Sequence, residues 1–187
     1  TDYDEAFDYR LQTRNFSVLP MRHFVLYDRL PYSGDVNTSK FSNLLTGPLT
    51  VPEKYTVYYH TAADMTKNAG QEVGRDGWMT ADQVADFTQV TAIKIVLNQG
   101  EVVEPGEIIN FNVPMKAPAY TNGYINREKA TNFFSTNRDA NDLTSFGDTN
   151  AVVNQLPQYI PVAKKWVKEK NLDQVVFELF RKSQPRD

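Results

Sequence analysis

Pro105-Gly106-Glu107-Ile108-Ile109-Asn110-Phe111-Asn112-Val113-Pro114-Met115-Lys116 joins a Pro/Gly turn to a strand, and its reading decides the fold. Ile109, Phe111 and Val113 alternate with Asn110 and Asn112 up to Pro114. Side chains on a strand point alternately to opposite faces, so one face here is apolar and the other polar. That pattern belongs to an antiparallel sheet with one solvated side. It recurs along the chain. Phe7, Tyr9 and Leu11 alternate with Asp8, Arg10 and Gln12. Phe24 and Leu26 lie in a strand over residues 21–28, stopped by Leu30-Pro31-Tyr32-Ser33-Gly34-Asp35. Tyr55, Val57 and Tyr59 share a face, with Tyr58 opposite; Ile93, Ile95 and Leu97 share another, with Lys94 opposite. Val175, Phe177 and Leu179 repeat the pattern near the end.

One short helix interrupts the strands. Thr80 and Gln83 fit a capping box, and Val84 and Phe87 then fall on one helical face, which predicts a helix over residues 81–87 that closes one end of a sandwich. Loops are read at residues 34–52, 64–78 and 138–150, rich in Gly, Pro, Asn, Asp, Ser and Thr. Such loops lie at sheet ends, where binding residues collect. A boundary falls at residues 157–161, where Pro157 and Pro161 bracket Gln158-Tyr159-Ile160.

Composition narrows the function classes. With 187 residues and 41% hydrophobic content the chain holds one sizeable core and part of another domain. A net charge of −3 gives no basic footprint for nucleic acid. No apolar run approaches the roughly 20 residues that span a bilayer. The chain opens at Thr1 in polar, acidic sequence and reads as a piece of a longer protein. The absence of cysteine removes disulfides, thiolate metal sites and cysteine nucleophiles.

Four phrases in order carry a resemblance over about residues 3–156: Leu30-Pro31-Tyr32-Ser33-Gly34-Asp35, Val90-Thr91-Ala92-Ile93-Lys94-Ile95, Pro105-Gly106-Glu107 leading to Val113-Pro114-Met115-Lys116, and Ala130-Thr131-Asn132-Phe133-Phe134. This order resembles the adhesin β-sandwich modules of Gram-positive cell-wall surface proteins. Beyond the linker, Val162, Lys164 and Trp166, then Val175, Phe177, Leu179, Phe180 and Arg181, resemble the first two strands of a Cna protein B-type domain, the stalk repeat of collagen adhesins and pilins. The resemblance implies an extracellular, wall-associated protein. It also implies that Lys164 is the lysine of an isopeptide bond, whose asparagine and assisting acid would lie on strands beyond Asp187. Taken within this chain, Lys164 reads as a lysine whose stem lies along Trp166.

The remaining candidates are weighed on residue type. Lys94, Lys116 and Asn132 are the obvious partners for a cross-link inside the first module, but Lys94 sits on a polar strand face and both lysines read as solvated. Asp139, Asn141 and Asp142, with Asp148 beyond, offer oxygen ligands for calcium, yet Leu143 and Thr144 break the EF-hand pattern and the cluster reads as a turn. His23 and His60 lack metal-ligand spacing or a neighbouring nucleophile motif. No phrase singles out a carboxylate pair, and no nucleotide fingerprint is present. Tyr58 and Trp78 are a candidate platform for a sugar or peptide, although Tyr55 and Tyr59 read as core.

The sequence thus predicts an all-β protein: an Ig-like antiparallel β-sandwich with one short helix over residues 1–156, a linker over 157–161, and the opening hairpin of a second module over 162–187. The expected role is structural or adhesive, with no catalysis and no cofactor. Expected partners are neighbouring modules of the same surface protein and a host matrix protein or glycan, not nucleic acid. A ligand-binding module acting through its loops and an accessory domain of a secreted enzyme are the alternatives.

Overall fold

The computed structural model describes residues 5–35, 39–118, 128–137 and 148–155. All of them lie in one compact unit, Thr1–Pro157. The readings placed on residues 138–147 and 156–187, including Lys164, Asp139, Asn141 and Asp142, lie outside the described residues.

The described chain is almost entirely antiparallel β-structure. Strands β1 (Ala6–Arg14), β2 (Val25–Arg29), β3 (Leu44–Leu45), β4 (Tyr55–His60), β5 (Ala92–Leu97), β6 (Ile108–Lys116), β7 (Glu128–Asn137) and β8 (Asp148–Gln155) follow in order. They form a three-stranded sheet, β1-β6-β3, and a five-stranded sheet, β4-β5-β2-β7-β8. The predicted sandwich is what forms.

The alternation explains the packing. Tyr9 and Leu11 of β1 and Ile109, Phe111, Val113 and Met115 of β6 are buried, while the residues between them face outward. They meet Leu26, Tyr55, Tyr59, Ile93, Ile95, Leu97, Ala130 and Phe134 of the other sheet in one core. Tyr55 and Phe111 join the sheets edge to face, ring centroids 5.1 Å apart. Each fully buried side chain of this size stabilises the fold by about 1.5–3 kcal/mol.

Several local expectations change. Pro114 does not end its strand: β6 runs through it to Lys116. Proline has no N–H to give. The carbonyl of Pro114 takes the Thr46 N–H at 2.9 Å, and β3 pairs only at Leu44 and Leu45, inside what the sequence reads as a loop. The second strand is Val25–Arg29 rather than residues 21–28, since Met21 forms only an isolated bridge to Val103. β8 begins at Asp148, inside the third predicted loop.

The predicted helix over residues 81–87 is two 3-10 turns, Ala81–Gln83 and Phe87–Gln89. The capping box is real: Gln83 Oε1 accepts the Thr80 N–H at 2.9 Å. Val84 is extended, and Asp86 caps a new turn by accepting the Thr88 N–H, so the helix never propagates. Val84 and Phe87 still pack on the core as expected of that face. An α-helical turn the sequence did not reveal, Ala69–Glu72, sits in the loop between β4 and the first 3-10 turn.

Candidate functional site

Two places concentrate polar side chains with unusual surroundings. One is on the outer face of the five-stranded sheet; the other is inside the sandwich.

The outer site is built on direct register. Tyr58 of β4 pairs with Lys94 of β5, and Lys94 pairs with Tyr27 of β2, so the three side chains form a row across three strands. The loop over residues 61–80 folds over this row. Met65, Ala69, Val73 and Trp78 pack there with Tyr27 and Ala92 as a small second core. Trp78 is fixed by its indole N–H, which donates to the Glu72 carbonyl at 3.0 Å, and by edge contacts with Tyr27 and His60 at 6.2 and 5.3 Å. Lys94 Nζ then lies 4.5 Å from the Trp78 ring centre and 5.2 Å from that of Tyr58. It donates to the Val73 carbonyl at 2.9 Å. Tyr58 and Trp78, singled out as a platform, are therefore brought together, with a lysine between them.

The lysine itself departs from expectation. Lys94 is half-buried, not solvated. Burial disfavours its ammonium form and lowers its pKa to about 8. Among the described residues no carboxylate forms an ion pair with it, whereas Lys54 pairs with Glu107 and Arg75 pairs with Asp64 and Glu72.

The loop that carries Trp78 is organised by buried Glu72. One carboxylate oxygen of Glu72 accepts from the Thr66 N–H and hydroxyl, each at 2.9 Å, and the other accepts from Arg75 at 3.3 Å. Burial raises the Glu72 pKa, but these donors outweigh it and hold the carboxyl below its ordinary value. Tyr27 donates its hydroxyl to the Thr66 carbonyl. His60 is structural: its Nδ1 accepts the Ala62 N–H at 3.0 Å and its Nε2 lies 3.0 Å from the Asp76 carbonyl. Gly77 adopts φ +95°, and a Cβ there would stand 3.0 Å from His60 Nε2.

The inner site is a buried acid–amide pair. Asp28 of β2 shares its face with Leu26 and Leu30 and is fully buried. Asn132 of β7, also fully buried, donates to Asp28 Oδ2 at 2.9 Å. Asp28 Oδ1 and Asn132 Oδ1 have no hydrogen-bond partner among the described residues. Desolvation raises the Asp28 pKa to about 7, against the lowering effects of Asn132 and Arg29. Close by, Tyr9 of the opposite sheet donates to the Ala130 carbonyl of β7 at 3.1 Å and accepts from Asn43 at 2.9 Å. This bond crosses the core and ties one sheet to the other.

Asn132 is thus placed beside a buried acid, as an amide acceptor would need. The lysines named with it are elsewhere. Lys94 pairs with Tyr27, whose neighbour Asp28 points the opposite way, so Lys94 and Asn132 lie on opposite faces of the sheet. Lys116 follows inward Met115 and lies on the outer face of the three-stranded sheet.

Asp28 is a site residue that sequence reasoning misses. The usable signal was its place at i+2 from Leu26 and i−2 from Leu30, a charge on an apolar face. Among the described residues no group of three or more His, Cys, Asp or Glu is placed to hold a metal ion. No helix there is long and apolar enough to cross a membrane. Comparisons of the chain with protein-family models, with curated proteins and with solved structures return no match.

Proposed function

We propose that this chain is a structural, adhesive segment of a bacterial cell-surface protein, an adhesin or pilin-like stalk. The observation that carries the reading is the way the sandwich is tied together. β1 is paired to β6 along its whole length, from Ala6 opposite Lys116 to Arg14 opposite Ile108. From the same strand Tyr9 crosses the core to the β7 backbone. Load entering ahead of β1 meets a long antiparallel ladder and a buried bond into the second sheet. The polar groups inside the module hold strands to one another, which suits a part that transmits force. The resemblance of the first module to wall-protein adhesins, and of residues 162–181 to a stalk repeat, points the same way. On that reading Lys164 forms an isopeptide bond with an asparagine of its own module, expelling ammonia and lowering the mass by about 17 Da through attack of the lysine amine.

Antibodies raised against residues 5–118 test the location. They should label intact cells of the source organism as strongly as permeabilised ones. Labelling that requires permeabilisation would contradict a surface role.

A second reading, a binding module for a matrix protein or glycan, is favoured by one feature: half-buried Tyr58 and Trp78 flank Lys94 on the outer sheet face. A glycan or peptide array with wild-type protein and Trp78→Ala separates it from the first, since a pure stalk shows no Trp78-dependent signal.

A further inference from the structure

We propose that Lys94 is a covalent attachment point for aldehydes: its amine, walled by Tyr58 and Trp78 and capped by the Val73 carbonyl, condenses with an aldehyde carbon and holds the product as a protonated imine.

The chemistry balances without a co-reactant. The amine lone pair bonds the carbonyl carbon, and the carbonyl oxygen leaves as water with two of the three hydrogens of the lysine ammonium. The remaining product, R–NH⁺=CH–R′, keeps one N–H and one positive charge. No atom is oxidised or reduced.

The cage matches that product. Its single N–H has an acceptor already in place, the Val73 carbonyl 2.9 Å from Nζ. Its charge lies where the Trp78 and Tyr58 rings, 4.5 and 5.2 Å from Nζ, attract a cation. An amide formed by acylation would keep the N–H but lose the charge, and so the ring attraction. The flat flanking rings favour planar, apolar aldehydes.

Reactivity needs the free amine, and here two effects oppose. The rings return part of the hydration that the ammonium loses. Burial lowers the pKa of the amine to about 8, and among the described residues no carboxylate forms an ion pair with it that would hold the proton. Lys54 is the contrast: its amine is paired to Glu107 and to the Val102 carbonyl. Lys40 and Lys67 are exposed.

The test uses the full chain with limiting benzaldehyde and cyanoborohydride, which reduces and traps the imine, followed by peptide mapping of each lysine from pH 6 to pH 10. Lys94 should be modified roughly tenfold faster than Lys40 and Lys67 at neutral pH, because burial favours its free amine and the flanking rings and the Val73 carbonyl hold the cationic product. Its rate should reach half-maximum near pH 8. Tyr58→Leu and Trp78→Leu, each checked for folding by circular dichroism, should cut the Lys94 rate several-fold and leave Lys40 unchanged. Either variant suffices if the other fails to fold. Labelling of Lys94 no faster than Lys40 in folded wild-type protein overturns the proposal. So does an equal preference for Lys94 with an acetylating reagent, which would show only a readily deprotonated amine and no fit of the ring cage to the cationic imine.

Discussion

Asp28→Asn should abolish a fall in stability that the wild-type protein shows as pH rises from 5 to 8. The Asp28 carboxyl is fully buried and its pKa is raised from 3.8 to about 7, with desolvation the leading cause. Between those values the folded protein holds a proton that the unfolded chain releases. The group's stabilisation is therefore fully present below about pH 4 and is lost as pH rises through 7. At about 1.4 kcal/mol per pK unit, the full span is worth about 4 kcal/mol, of which about 3 kcal/mol falls between pH 5 and pH 8. The proton has a structural use: it turns Asp28 into a donor beside Asn132 Oδ1, an acceptor without a partner among the described residues. Asparagine at position 28 keeps the shape, accepts the same Asn132 donor and never ionises. The assay is urea denaturation of wild type and Asp28→Asn at intervals of half a pH unit. The carboxyls of Glu72, Glu107, Asp64 and Asp86 are held below their ordinary values, so their contributions are lost only on the acid side, below this window. The difference between the two proteins should grow with pH, with the variant the more stable at pH 8. Parallel curves from pH 5 to pH 8 would show that Asp28 holds no extra proton in the folded protein.

Three further outcomes are expected. Tyr9→Phe removes the hydroxyl that bonds Ala130 and Asn43 across the core, and should cost about 1–3 kcal/mol in urea denaturation with little change in the m-value; an unchanged midpoint would show that the cross-sheet bond carries no stability. Gly77→Ala forces a Cβ against His60 at a positive φ, and should lower the melting temperature by an amount corresponding to about 1–3 kcal/mol while altering Trp78 fluorescence; unaltered melting and emission would contradict the packing of that turn. Truncation after Leu156 should leave a cooperative thermal transition, and its loss would show that the tail completes the first core.

The strands were legible wherever one face meets the core and the other meets water. Tyr9 and Leu11, Ile93 and Ile95, and Phe111 and Val113 all fell on the expected side, because period-two alternation records burial directly. Short elements were not legible. Leu44 and Leu45 are paired only because β6 passes beside them, and no local pattern of two residues carries that information. The residues around Val84 satisfied a helix-start rule, and Asp86 then began a second turn that the capping rule does not weigh. The outer site was half legible. Tyr58 was placed outward correctly, but its meeting with Trp78 depends on a loop folding back over the sheet, a long-range event held by Glu72. Lys94 misled for the same reason: the polar face of an isolated strand becomes half-buried once that loop covers it.

The proposed role is to carry load between neighbouring modules on a cell surface. Single-molecule pulling of the chain, placed between two reference immunoglobulin-type modules, tests it most directly. One cooperative unfolding event is expected for the first module at forces comparable with or above those of the reference modules, and a clearly lower force in Tyr9→Phe. Gradual extension at the low forces that stretch unstructured linkers, the same in both proteins, would contradict it.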